Sequence, residues 1–146
     1  ESLYRELIRA ESIDPLPGVV TLLDELASAA VPTSVGSSTP RANIDAVMEV
    51  TGVTGKFREI VAAGDVTNGK PNPEVFLTAA SRLGCTPGYS VVIEDAQVGI
   101  QAGKAGGFKV LAVATTHAAE ELSTADICHP DLSSVTLNTL LDLVNP

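Results

Sequence analysis

Apolar positions along this chain alternate between helical spacing and short unbroken runs. Leu3, Leu7 and Ile8 recur at helical spacing with Glu and Arg on the other face, which predicts a helix over residues 1–10. Asp14-Pro15-Leu16-Pro17-Gly18 is a breaker cluster and predicts a linker. Val19, Leu22, Leu23, Leu26 and Ala30 form a second helical stripe, stopped by Pro32. A β-like run follows at residues 33–36, then a helix at 41–50 and a strand at 57–62. Residues 64–73 are a loop dense in Gly, Asn, Asp and Pro. Residues 74–83 are helical, and Gly84 is placed to end that helix. Residues 90–93 read as a β-branched strand, 96–105 as a helix closed by Gly106-Gly107, and 108–113 as a buried strand. A short helix at 118–122, an edge strand at 126–128 and a helix at 137–144 complete the pattern.

Strands that are continuous apolar runs, each followed by a helix, belong to a parallel sheet covered on both faces. Right-handed crossovers make that sheet doubly wound, an α/β Rossmann-like fold. Ligands of such sheets sit beyond the C-terminal strand ends.

Composition narrows the class. At 146 residues the chain is about one domain long, enough to bury a real core. Hydrophobic residues make up 45% and charged residues 18%, which fits a globular protein and not a disordered one. No apolar run approaches the ~20 residues of a membrane helix. The first residues show no basic-then-apolar signal pattern, so a cytoplasmic setting without a membrane partner is expected. The chain starts without Met, which suggests a processed or truncated product. A net charge of −9 with scattered Lys and Arg argues against nucleic-acid binding. Cys85 and Cys128 fall in no zinc or redox spacing; two buried or half-buried thiols in a reducing compartment are expected.

Polar groups cluster at the predicted strand ends. The first strand ends in Ser37-Ser38-Thr39, the second runs into Gly64-Asp65 and a loop carrying Gly69-Lys70-Pro71, and the third ends in Glu94-Asp95. Hydroxyls and a following helix N-terminus can hold phosphate oxygens. A Lys supplies a point positive charge for a phosphoryl group. An Asp–Glu pair is a hard-oxygen site suited to Mg²⁺. Each member also has a structural reading: Ser37 and Ser38 as caps of the next helix, Lys70 as a solvated loop residue, Asp95 as an N-cap. Glu94 follows the apolar run Val91-Val92-Ile93, where an acid without a partner would be costly.

These stretches resemble a known family. The run from Gly64 to Phe76, with Gly69-Lys70-Pro71-Asn72-Pro73 at its centre, is similar to the lysine motif of the haloacid dehalogenase superfamily. The run from Val92 to Gly106, opening Val92-Ile93-Glu94-Asp95, resembles its acidic metal motif, and Val35-Gly36-Ser37-Ser38-Thr39 its Ser/Thr motif. The style is closest to the β-phosphoglucomutase-like branch, which includes many sugar-phosphate phosphatases. The resemblance implies that Ser37 and the Ser38 backbone N–H hold a transferring phosphoryl group and that Lys70 neutralises its charge. It implies that Asp95 is a direct Mg²⁺ ligand, with Glu94 a ligand or an acceptor just outside the coordination sphere. It implies a small phosphorylated metabolite as substrate, and surface roles for Arg41 and Asn43 near the mouth.

The same resemblance marks a gap. The family opens with an apolar strand ending in Asp-x-Asp, whose first Asp attacks phosphorus, and no two Asp residues of this chain lie two apart. Residues 1–14 resemble the tail of a helical cap plus linker, and residues 15–146 an α/β core without its first, central strand. The missing strand belongs between the strands at 33–36 and 90–93, so these two should not pair directly. The missing segment is expected to be cleaved off, unseen or supplied by another chain, and the chain alone to be inactive. Two other readings compete: a non-enzymatic phosphate-, metal- or partner-binding domain, and a receiver-like domain. In the receiver-like domain the Lys comes last, whereas here Glu94 and Asp95 follow Lys70.

Overall fold

The computed structural model describes residues 2–145. The order is α1 (Ser2–Ala10), α2 (Val19–Ser28), β1 (Ser34–Gly36), α3 (Arg41–Thr51), β2 (Glu59–Val61), α4 (Glu74–Leu83), β3 (Val91–Glu94), α5 (Gln97–Ala105), β4 (Lys109–Val113), β5 (Ile127–His129) and α6 (Leu137–Val144), with short helical turns between. All strand pairs are parallel. The strands divide into two sheets, β1-β2 and β3-β4-β5.

Successive side chains of a strand point to opposite faces, and here both faces are apolar. Val110 and Ala112 of β4 join Val92, Val61, α4 and α5 in one cluster. Leu111 and Val113, one residue out of phase, join Leu22 and Leu26 of α2 and the apolar face of α6 in another. Leu23 of α2 packs with Ile44 and Met48 of α3 and with Val35 and Ile60 of the smaller sheet. α2 therefore spans both sheets on one side, as α4 and α5 do on the other. The linker is pinned where Gly18 meets the chain before α6: Leu132 N donates to Pro17 O at 3.1 Å. With φ +87° and Leu132 backbone 2.2 Å from where a Cβ would lie, only glycine fits position 18.

Among the described residues the two sheets are not joined by a ladder. In a parallel ladder successive peptide groups point alternately to the two sides. Ser37 N donates to Val61 O and Arg58 N to Thr33 O, so the odd residues of β1 face β2 and the groups of Ser34 and Gly36 face away. Lys109 N donates to Ser90 O, so even residues of β3 face β4 and those of Val91 and Ile93 face away. Among the described residues β1 and β3 form no ladder with each other. Ile93, in the middle of an apolar strand, is 37% exposed.

Several expectations need correction. Cys128 is exposed, because β5 is an edge strand and turns that residue outward. Asn43 is buried at 8% exposure and accepts a hydrogen bond from Arg5 of α1 at 3.0 Å, so its role is to join two helices. Pro40 and Ala96, not Ser38 or Asp95, stand at the helix N-caps, and no side chain caps either helix. The strand expected at 57–62 is shorter, Glu59–Val61, and Phe57 before it packs against the core around Leu23, Ile44 and Met48.

Asp126 ties the edge of the larger sheet. Its carboxylate accepts from Val110 N at 2.7 Å and pairs with Lys104 at 2.8 Å. Partial burial alone would raise its pKa; the Lys104 and Val110 bonds outweigh that and hold it below the usual Asp range. A depressed folded-state value means stability present above the unfolded pKa and lost as pH falls through the folded one. Asp126→Asn is therefore expected to lower the melting temperature at pH 7. The difference from the native chain should begin to shrink at about pH 4, the unfolded value, and close as pH falls further through the lowered folded-state value. Melting curves across that range check it, and a gap that stays constant with pH would refute the linkage.

Candidate active site

Lys70 sits where the two sheets approach. Its loop is braced by Glu74 at the start of α4, whose carboxylate accepts from Thr67 N and Asn68 N, each at 2.9 Å. Those backbone bonds hold the Glu74 carboxyl below its usual range. The Lys70 ammonium leaves this loop and reaches the ends of β1 and β3. It donates to Gly36 O at the end of β1 at 3.2 Å and to Glu94 Oε1 at the end of β3 at 2.5 Å. It also lies 4.7 Å from the centroid of the Phe76 ring, a cation–π distance. One side chain thus bridges the C-terminal ends of strands from both sheets. Its side chain is 14% exposed, so the solvated-loop reading is overturned.

Glu94 is 10% exposed and fully engaged. Oε1 takes Lys70, and Oε2 accepts from Asp95 N at 3.1 Å and Ala96 N at 3.4 Å. A buried carboxylate is tolerable only when paired and hydrogen-bonded. The space for it comes from Gly99, in the first turn of α5: a Cβ there would fall 1.9 Å from Glu94 Cδ.

Asp95 follows directly and is half-buried. Thr116 Oγ1 donates to its Oδ2 at 2.8 Å. Oδ1 has no donor among the described residues. That oxygen is a hard donor of the kind Mg²⁺ takes, so the residues present fit such an ion through Asp95. Among the described residues no three His, Cys, Asp or Glu side chains converge on one point. Water, a phosphate oxygen or a further carboxylate would complete the shell.

Ser37 follows Gly36 on β1 and is half-buried, its Oγ accepting from Thr39 N at 3.1 Å. Ser38 is exposed, with Oγ 3.9 Å from where a Cβ of Gly69 would lie, so the hydroxyl loop and the lysine loop adjoin. Asp65 turns away: it accepts from Ala62 N and pairs with Arg82, both of which lower its pKa. Arg41 pairs with Asp45 and lines a separate groove with Glu49, Arg58 and Arg82. Thr116 at the Asp95 carboxylate and His117 at the Asp95 carbonyl escaped the sequence reading, since no spacing links residues 95 and 116.

Two parallel sheets flanked by helices, with an ammonium and two acids at their strand ends, define an anion- and cation-handling class of site. The profile described as haloacid dehalogenase-like hydrolase matches residues 2–113, and the chain belongs to that family. It is 34% identical over 141 residues to validoxylamine A 7'-phosphate phosphatase of Streptomyces hygroscopicus subsp. limoneus, covering 92% of this chain and 66% of that protein. It is 32% identical over 132 residues to hexitol phosphatase A of Escherichia coli, covering 90% of this chain and 61% of that protein. The β-phosphoglucomutase structure from Clostridium difficile superposes with a TM-score of 0.87 at 29% identity, covering 99% of this chain and 63% of that one. The chain thus spans less than two-thirds of the length of each of these relatives. No helix among the described residues is long and apolar enough to cross a membrane.

Proposed function

We propose that this chain supplies the phosphoryl-binding side of a Mg²⁺-dependent phosphatase or phosphomutase acting on a small phosphate monoester, a sugar phosphate or similar. The observation that carries this is the Lys70 ammonium held between Gly36 O and Glu94 at the strand ends. The names of the relatives, phosphatases and a phosphoglucomutase, support the substrate class.

In this reading Ser37 Oγ and Ser38 N–H hold two phosphoryl oxygens. Lys70 is already oriented by Glu94 and Phe76 and places its charge on the phosphoryl group with little reorganisation. Asp95 would hold Mg²⁺, and Glu94, already engaged, organises Lys70 and the Asp95 and Ala96 amides. The ion, when bound, neutralises charge on the phosphoryl oxygens. The nucleophile is an Asp outside these 146 residues, carried on a strand that pairs between β1 and β3. It attacks phosphorus in line, the alcohol leaves, and the aspartyl-phosphate passes its phosphoryl group to water or to a sugar hydroxyl. Residues 1–14 are read as the end of a cap and residues 15–146 as the core.

The test is a steady-state assay with p-nitrophenyl phosphate and Mg²⁺. The 146-residue chain alone should show no turnover. The same chain joined to an upstream apolar segment ending in Asp-x-Asp should hydrolyse the ester. Turnover by the chain alone would place the nucleophile within it. Continued inactivity of the joined protein would favour a binding domain instead.

A further inference from the structure

The loop after β4 folds back over the end of β3 and brings Thr116 and His117, both exposed, onto Asp95. Thr116 Oγ1 lies 2.8 Å from Asp95 Oδ2 and 3.4 Å from the Asp95 carbonyl oxygen. His117 Nδ1 lies 2.9 Å from Thr116 Oγ1 and 3.1 Å from the same carbonyl. A hydroxyl has one proton, and the shorter, charge-assisted bond to the carboxylate takes it. Thr116 Oγ1 and the Asp95 carbonyl then offer only lone pairs to His117. Two acceptors facing one ring nitrogen require that nitrogen to carry a proton. The neutral His117 ring is therefore the Nδ1–H tautomer.

We propose that Thr116 and His117 are positioning residues for Asp95: the Thr116 hydroxyl, aimed by His117 Nδ1–H, holds Oδ2 and presents Oδ1 as the open ligand atom for a divalent cation. The proposal rests on the reading of Asp95 as the Mg²⁺ ligand. Two hydrogen bonds from one dipeptide, Thr116 Oγ1–H to Oδ2 and His117 Nδ1–H to the carbonyl, fix both the side chain and the backbone of Asp95, so its rotamer is set before any ion arrives. Partners of this kind behind a ligand orient it and tune its affinity.

The test uses the 146-residue chain and two readouts other than turnover. With ¹⁵N-labelled histidine, long-range ¹⁵N–¹H spectra at a pH where the ring is neutral should place the His117 proton on Nδ1. Thr116→Val removes one of the two acceptors and should weaken that preference, and Thr116→Ser should keep it. With Mn²⁺ as a paramagnetic stand-in for Mg²⁺, the Asp95 and Ala96 amide signals should broaden on titration. Thr116→Val should need roughly tenfold more Mn²⁺ for the same broadening, and Thr116→Ser the native amount. A native His117 protonated on Nε2 overturns the proposal, and so does an equal Mn²⁺ response in the native and Thr116→Val chains. A native chain with the expected tautomer but no response to Mn²⁺ overturns the metal reading of Asp95, and the proposal with it, while leaving the hydrogen bonds intact.

Discussion

Lys70→Ala should cost the intact enzyme at least about a hundredfold in turnover and should destabilise this chain by about 3 kcal/mol. The two effects share one origin. Lys70 and Glu94 are 14% and 10% exposed, so neither charge is well solvated, and each depends on the other. Removing the ammonium strands Glu94 in a low-dielectric site and strips the donor from Gly36 O. Stability and rate should then separate in a second variant. Lys70→Ala combined with Glu94→Gln leaves no unpaired charge and should recover much of the lost stability in urea unfolding, but none of the turnover. Near-normal turnover in Lys70→Ala would remove Lys70 from the mechanism. An unchanged unfolding midpoint would show that the pair contributes nothing to the fold.

Gly99→Ala should destabilise the chain by about 3 kcal/mol, a fall of about 10 °C in melting temperature. Helix propensity alone predicts the opposite sign, since Ala is better than Gly in a helix interior by about 1 kcal/mol. The φ of Gly99 is not in the left-handed region, so no backbone strain enters. Sterics decide. The new Cβ would lie 1.9 Å from Glu94 Cδ and 2.2–2.3 Å from its oxygens. Either α5 lifts off the sheet or Glu94 swings away from Lys70. Shortening the acid discriminates: Gly99→Ala with Glu94→Asp removes one methylene from the clash and should be more stable than Gly99→Ala alone. If the added substitution brings no recovery, the glycine serves helix packing and not the Lys70–Glu94 pair.

Most of the architecture was legible along the chain because it depends on local periodicity. The helix at 74–83 and the helix at 137–144 match the observed bounds, since each has a clear apolar stripe and a defined stop. β3 and β4 were recognisable as unbroken apolar runs, and their parallel pairing follows from the helix between them. The separation of β1 from β3 falls where the family resemblance places a further strand; a strand there remains part of the proposed function.

The sequence by itself determined the order and type of the elements, the parallel α/β class, and which residues stand at the strand ends. Those properties are written in spacing within a window of a dozen residues. Only the tertiary structure decided how these residues are used. It paired Lys70 with Glu94 across 24 residues, set Thr116 and His117 on Asp95, buried Asn43 under Arg5 and turned Cys128 to solvent. It also gave Gly99 its purpose, a cradle for a carboxylate. Such contacts depend on strand register and on how each loop returns over the sheet, and these are fixed by packing across the whole core, not by any local pattern.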